Sequence, residues 1–214
     1  VDRQCRQRRD HADAVFGLLT HADDAAAADI DAGLAHMRER VGNNWVGPGG
    51  HVVHYPVHRG EYMNMNGTIE VEGWQEESWS AKGTHAECHK AFEGWHDDIH
   101  AMIDGFATPF KWALFNREPL KQWSVGRVSL IGDACHSMLP MLAHGAVSTL
   151  EDGFILGRAM DAAGGDVVQG WQRYERARIE RTTKVVAGSA ENGKRFQSRT
   201  LGNADDGVIK YLGL

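Results

Sequence analysis

Apolar and polar positions divide the chain into three stretches of different character. In residues 1–40 the apolar positions Val15, Phe16, Leu18 and Leu19 cluster, and little apolar periodicity follows them. A biased run of Asp and Ala over 23–29 favours helix by propensity. A weakly packed helical or disordered arm is therefore expected there. The character changes at Gly47-Pro48-Gly49-Gly50, a turn signal. Beyond it, 51–57 and 61–68 read as neighbouring strands, with His58-Arg59-Gly60 as the hairpin loop. A further strand is expected over 69–79. Short helices are expected over 84–92 and 95–103, broken near Glu93-Gly94, and Thr84 with Glu87 has the spacing of a capping box. Residues 110–115 read as a short aromatic strand.

The third stretch is the most patterned. Residues 127–131 (Arg-Val-Ser-Leu-Ile) read as a buried strand that ends at Gly132-Asp133. A loop leads to Gly145, and a helix runs from there to about Ala163. Its early acids Glu151 and Asp152 suit the helix dipole, and Gly164-Gly165 suits its end. A second helix is expected over 167–196. Val167, Trp171, Tyr174 and Val185 lie near one face of it, and Arg173, Arg176, Arg178 and Arg181 are expected to be solvated.

Composition narrows the function classes. A net charge of −6 argues against a general nucleic-acid binder. No run of about 18 apolar residues is present to span a membrane as a helix. Residues 1–11 carry Arg3, Arg6, Arg8 and Arg9 and no apolar core, so they do not read as a signal peptide. Cys5, Cys88 and Cys135 are too few and too widely spaced for a disulfide framework, which fits a cytoplasmic protein.

The candidate chemistry lies in 126–153. A strand that delivers Asp133 at its carboxyl end places a carboxylate where open α/β sheets bind ligands. The helix entry at Gly145 offers backbone N–H groups, which favour partial negative charge. His85, Cys88, His89, His96 and His100 have helical spacings compatible with a metal, but a polar helix surface around one half-buried Cys is the better reading, and no metal is expected. Cys135 beside Asp133 and His136 is read as a buried thiol rather than a nucleophile. The tryptophans are read mainly as core.

The run from Gly132-Asp133-Ala134-Cys135-His136 through Pro140 and Gly145-Ala146 to Glu151-Asp152-Gly153 resembles the flavin-contacting motif of the FAD-dependent aromatic-ring monooxygenases. The resemblance extends over about 45–196 and is closest to the salicylate hydroxylase branch, with 6-hydroxynicotinate 3-monooxygenase as near kin. It implies a mixed α+β or α/β fold class: the C-terminal part of a FAD/NAD(P)-binding monooxygenase fold. That part would hold a substrate-domain β-sheet, a flavin-contacting strand–loop–helix and a long C-terminal helix. The expected divisions are 1–44, 45–122 and 123–214.

The resemblance also implies roles. Asp133 would meet the ribityl hydroxyls of FAD, Pro140 the reactive side of the ring, and Gly145 and Ala146 its carbonyl edge, with Gly132 also in the cofactor site. His51 and Tyr55, four apart on a strand and so on one face, would meet the substrate. His51 would act on a ring phenol, because a His pKa ordinarily lies near working pH. The implied reaction hydroxylates a small aromatic acid with NADH and O₂, as salicylate to catechol.

His144 stands where the family usually has Gln, and Val147-Ser148 replaces a more usual pair. Neither the family's G-x-G-x-x-G fingerprint nor its central Asp-Gly motif occurs in the 214 residues. A C-terminal fragment or a defective copy is therefore expected, which leaves an inactive remnant or a partner-dependent half as the alternative to an active enzyme.

Overall fold

The computed structural model describes residues 12–21, 41–47, 49–60, 62–70, 81–115 and 117–197, with only the backbone described for 12–21. These residues form two compact units. One comprises 12–114 with 196–197, and the other 115–195.

The first unit is built on a five-stranded sheet. Its strands are β1 (Ala12–His21), β2 (Asn43–Gly47), β3 (Gly50–Val57), β4 (Tyr62–Glu70) and β5 (Phe110–Phe115), in the spatial order β2-β3-β4-β1-β5. The expected hairpin is present. β3 pairs antiparallel with β4 from Gly50↔Ile69 to Val57↔Tyr62. His58, Arg59 and Gly60 turn the chain with positive φ at all three residues. Residues 71–80, where a further strand was expected, lie outside the described residues.

Two helices cover the sheet: α1 (His85–Ala91) and α2 (Asp97–Asp104). The capping box at the start of α1 is complete. Thr84 Oγ1 accepts from Glu87 N at 3.1 Å, and the Glu87 carboxylate accepts from Thr84 N at 2.8 Å. The core joins Val52 and Met65 of the sheet to Cys88, Phe92, Ile99 and Ile103 of the helical layer, all fully buried. Gly67 is where the sheet approaches most closely, since a Cβ there would collide with the Phe92 ring.

One expectation is corrected here. The stretch 1–44 was expected to be weakly structured, yet Ala12–His21 is a strand inside the sheet. It pairs antiparallel with β4 from Asp13↔Glu70 to His21↔Tyr62. The partner strand lies some 50 residues away, so the ladder that forms β1 cannot be read from its own residues. The expected helix over 23–29 lies outside the described residues.

The second unit is mainly helical. A small antiparallel ribbon, β6 (Ser124–Val125) with β7 (Val128–Ser129), precedes α3 (Asp133–His136). A 3-10 turn follows over Pro140–Leu142, then α4 (Gly145–Ala162) and α5 (Val167–Phe196). Gly164 and Gly165 end α4 with φ of 59° and 96°, as expected of a Gly stop. Trp123, Cys135, Ala159 and Tyr174 form the core.

Three readings of this unit are corrected. The expected buried strand over 127–131 is two residues long, and Val128, Leu130 and Ile131 are exposed. The ribbon pairs on one side through a tight turn at Gly126, so its apolar side chains stay uncovered among the described residues. Arg178, expected to be solvated, is buried. Along α5 the buried positions run Tyr174, Arg178, Thr182, Val186, Ser189, a stripe of i, i+4 and i, i+3 steps to which 178 belongs. Finally, Glu151 and Asp152 lie beyond the first turn of α4, where they answer arginines of α5 rather than the helix dipole.

Candidate functional site

In the second unit the structure brings Gly132, Asp133, Pro140, Gly145 and Ala146 onto one short run of turn and helix starts. Gly132 has φ 59° and ψ −141°, a conformation open essentially to Gly alone. It precedes α3 and leaves the Asp133 side chain exposed. Pro140 is also exposed and begins the 3-10 turn, which ends at Ala143 in the left-handed region. α4 then starts at Gly145 with no side-chain cap from His144 and no acidic residue in its first turn. A Cβ built on Gly145 would meet nothing within 4 Å. An uncapped helix start with clear space above it suits a flat ligand edge that carries negative charge.

Sequence reasoning missed how this run is held. Asp152 of α4 is 2% exposed. Its Oδ2 accepts from Gly132 N at 3.0 Å and faces His136 Nε2 at 2.6 Å, and its Oδ1 accepts from Arg178 Nε at 2.7 Å. Arg178 also donates to Glu151 at 2.5 Å and to Ser148 O at 3.1 Å. Arg181 grips Glu151 with two bonds, and this pairing holds the Glu151 carboxyl down to about 2. Further along α5, Ser189 Oγ donates to Leu139 O, and Asn192 Nδ2 donates to Met141 O at 2.7 Å. These two bonds flank Pro140 on both sides. The only signal in the sequence was the i, i+4 and i, i+3 stripe of α5.

The neighbouring thiol is held in its un-ionised form. Burial, reinforced by the Asp152 charge, pushes Cys135 up to about 12, and its Sγ–H donates to Gly132 O. A thiol so rarely ionised is a poor nucleophile at neutral pH.

In the first unit, His51 and Tyr55 both lie on β3, as expected. His51 is 4% exposed, packs on the Phe196 ring at 5.3 Å, and its Nδ1 has no hydrogen-bond partner. Tyr55 is exposed and borders a shallow cavity of about 250 Å³ with Pro56, His58 and Arg59, a cavity that His51 does not line. The titration expected of His51 is corrected. Burial lowers its pKa from 6.5 to about 4, so the imidazole is neutral at pH 7.

This shift predicts a pH dependence. Between pH 6.5 and 4 the unfolded chain binds a proton at His51 that the folded chain resists. Stability is therefore full above about 6.5 and falls as pH drops to about 4, by as much as about 3 kcal/mol. Unfolding followed across that window should show the slope in the wild type and a reduced slope in His51→Phe. Equal slopes would remove the assignment.

The His/Cys group with helical spacing is engaged otherwise. His89 Nδ1 meets His100 Nδ1 at 2.8 Å, its Nε2 meets Asp104 at 2.7 Å, and His85 Nε2 meets Phe106 O at 2.6 Å. His96 caps α2 and Cys88 is buried in the core. Among the described residues no group of three or more such side chains is placed to hold a metal ion. Among them, too, no helix is long and apolar enough to cross a membrane.

Comparison with known proteins covers both units. The family model described as FAD binding domain matches residues 49–189. The chain is 38% identical over 152 residues to the 3-amino-4-hydroxybenzoate 2-monooxygenase PtnB3 of Streptomyces platensis, a match covering 71% of this chain and 38% of that protein. It is 36% identical over 156 residues to the 3-hydroxybenzoate 6-hydroxylase of Polaromonas naphthalenivorans, covering 72% and 38%. It is 34% identical over 179 residues to the 6-hydroxynicotinate 3-monooxygenase of Pseudomonas fluorescens, covering 82% and 46%. A salicylate hydroxylase solved as a substrate complex superposes with a TM-score of 0.77 at 26% identity, over 91% of this chain and 49% of that one. The matches thus span less than half the length of these relatives.

Proposed function

The chain belongs to the FAD binding domain family of flavin-dependent aromatic hydroxylases, and from that membership we propose that it serves the hydroxylation of a small aromatic acid with FAD, NADH and O₂. One observation carries this reading. The exposed Asp133 and the uncapped, unobstructed start of α4 at Gly145 stand on one short run that two helices hold in place. These residues fit the ring-and-ribityl end of FAD. Bound there, FAD would supply reduction by NADH and activation of O₂.

The chain's own residues have separate tasks. Asp133 accepts hydrogen bonds from sugar-type hydroxyls. The N–H groups of Gly145 and Ala146 donate to a carbonyl edge, and the α4 dipole stabilises negative charge there. Pro140 presents a rigid apolar surface without an N–H. His51, neutral at pH 7, accepts a hydrogen bond from the substrate's ring hydroxyl, and Tyr55 contacts the same substrate from its own strand position. Salicylate, converted to catechol with loss of carbon dioxide, is the proposed substrate type. 6-Hydroxynicotinate is the second reading, supported by the likeness to the Pseudomonas fluorescens enzyme. A reducing cytoplasm suits Cys88 and Cys135, both free and buried.

Titration of the purified chain with FAD tests the reading. Binding, seen as flavin absorbance near roughly 450 nm retained through gel filtration, is expected. NADH oxidation stimulated by salicylate or by 6-hydroxynicotinate would then choose between the substrates. A chain that retains no flavin would favour the inactive remnant or partner-dependent half.

Gly145→Ala should split stability from binding. At the first position of α4, with nothing near the new methyl, the change should stabilise the fold by about 0.5–1 kcal/mol. The same methyl intrudes on the ligand side and should weaken FAD binding about tenfold, or about 1.4 kcal/mol. A rise in Tm with unchanged FAD affinity would remove Gly145 from the site.

A further inference from the structure

The flavin-facing run has two parts, Asp133 at the start of α3 and the amides at the start of α4, with residues 134–144 between them. Nothing in the run itself sets their spacing. Asp152 touches the elements that carry both. It sits two turns into α4, so its position is rigidly related to Gly145. Its Oδ2 bonds Gly132 N and His136 Nε2, the N-cap and the last residue of α3, which carries Asp133. Its Oδ1 bonds Arg178 of α5, and Arg178 reaches on to Ser148 O, one turn earlier in α4.

We propose that Asp152 is a positioning residue for cofactor binding: through Gly132 and His136 it fixes Asp133 at a set distance from the α4 amides. The inference rests on the flavin reading above. Asp152 touches neither exposed part and acts only through the turn.

The chemistry of the joint requires a carboxylate. Gly132 N–H and Arg178 Nε–H donate to different oxygens of the same group. His136 takes the tautomer, or charge state, with hydrogen on Nε2, which also donates. An Asn side chain accepts on one side only, and its NH₂ must face either the Gly132 and His136 donors or the Arg178 donor. One side of the joint therefore opens in Asp152→Asn, although size and shape are unchanged.

The test compares Asp152→Asn, Asp133→Ala and the wild-type chain by amide hydrogen exchange and by FAD titration. Asp152→Asn should raise exchange across 130–137 about tenfold while protection along α5 persists, and should weaken FAD binding about tenfold. Asp133→Ala should weaken FAD binding without changing that exchange. If Asp152→Asn does not fold, His136→Phe, which opens one end of the turn and keeps the Asp152–Arg178 pair, should show the same local exchange. Unchanged exchange over 130–137 overturns the proposal, as does raised exchange with unchanged FAD affinity. FAD affinity insensitive to Asp133→Ala overturns the flavin reading instead, and local exchange then decides the joint by itself.

Discussion

Replacing Arg178 by Met destabilises the unit of residues 115–195 by about 3–5 kcal/mol, read from urea unfolding. The size follows from what the guanidinium faces. Arg178 and Asp152 are both 3% exposed at the side chain, and 2.7 Å separates them. A buried ion pair adds little over an apolar replacement of both partners, but removal of one partner strands the other charge in a medium that solvates it poorly. Here the stranded group is also the acceptor for Gly132 N–H, so the loss reaches the flavin-facing turn. Arg178→Lys keeps the charge and gives up the fork that also reaches Glu151 and Ser148 O. It should cost less, about 1–2 kcal/mol, through lost hydrogen bonds alone. A Met variant as stable as the Lys variant would mean that burial, not pairing, dominates at this position. Surface pairs of the same helix offer a control. Lys184 with Glu180 is an exposed i, i+4 pair, and its removal should cost well under about 1 kcal/mol.

Asp133→Ala abolishes most FAD affinity, by about a thousandfold, and leaves the fold intact. Asp133 is exposed and ends no ion pair or hydrogen bond that the described residues show, so its truncation removes nothing the fold depends on. A carboxylate that accepts from two hydroxyls forms two charge-assisted bonds, each worth about 1.5–3 kcal/mol, and roughly 4 kcal/mol in total corresponds to the thousandfold loss. FAD titration beside a melting curve reads both halves of the expectation. Affinity within about threefold of wild type would take Asp133 out of the cofactor site. A large drop in Tm would give it a structural part in the turn, which Asp152 alone is argued to hold.

Much of the local structure is legible in the sequence. The α1 capping box needs Thr and Glu three residues apart, and both were present in that register. The hairpin at 58–60 follows from a Gly between two β-rich runs. α4 starts at Gly145 and stops before Gly164-Gly165, as read. The flavin-motif residues were legible for the same reason: their order along the chain is itself the pattern. His51 illustrates the limit. Its strand and face could be read, but its pKa depends on burial against Phe196, which lies 145 positions away, and burial moved it to about 4.

The N-terminal strand and the ribbon at 124–129 failed in opposite directions. Clustered apolar residues with an Ala/Asp run looked unfit for a sheet, yet β1 lies between β4 and β5. The apolar run at 127–131 looked buried, yet most of it is exposed. A strand is completed by the strands beside it and by what covers its faces, and neither is written in its own residues.

The sequence alone therefore determined the family and the local devices: caps, turns, helix limits and the linear order of the flavin-facing residues. Each of these depends on residue types within a few positions, where backbone geometry leaves little choice of partner. Tertiary structure decided that Arg178 goes inside, that Asp152 joins Gly132, His136 and Arg178, and that Ser189 and Asn192 grip the chain on either side of Pro140. Those bonds link residues 16 to 51 positions apart. At such separations, hydrophobic periodicity says which face of a helix is buried but not which polar group it meets there. That choice is made by the packing of α4 against α5, where a buried charge is tolerated only opposite its counter-charge.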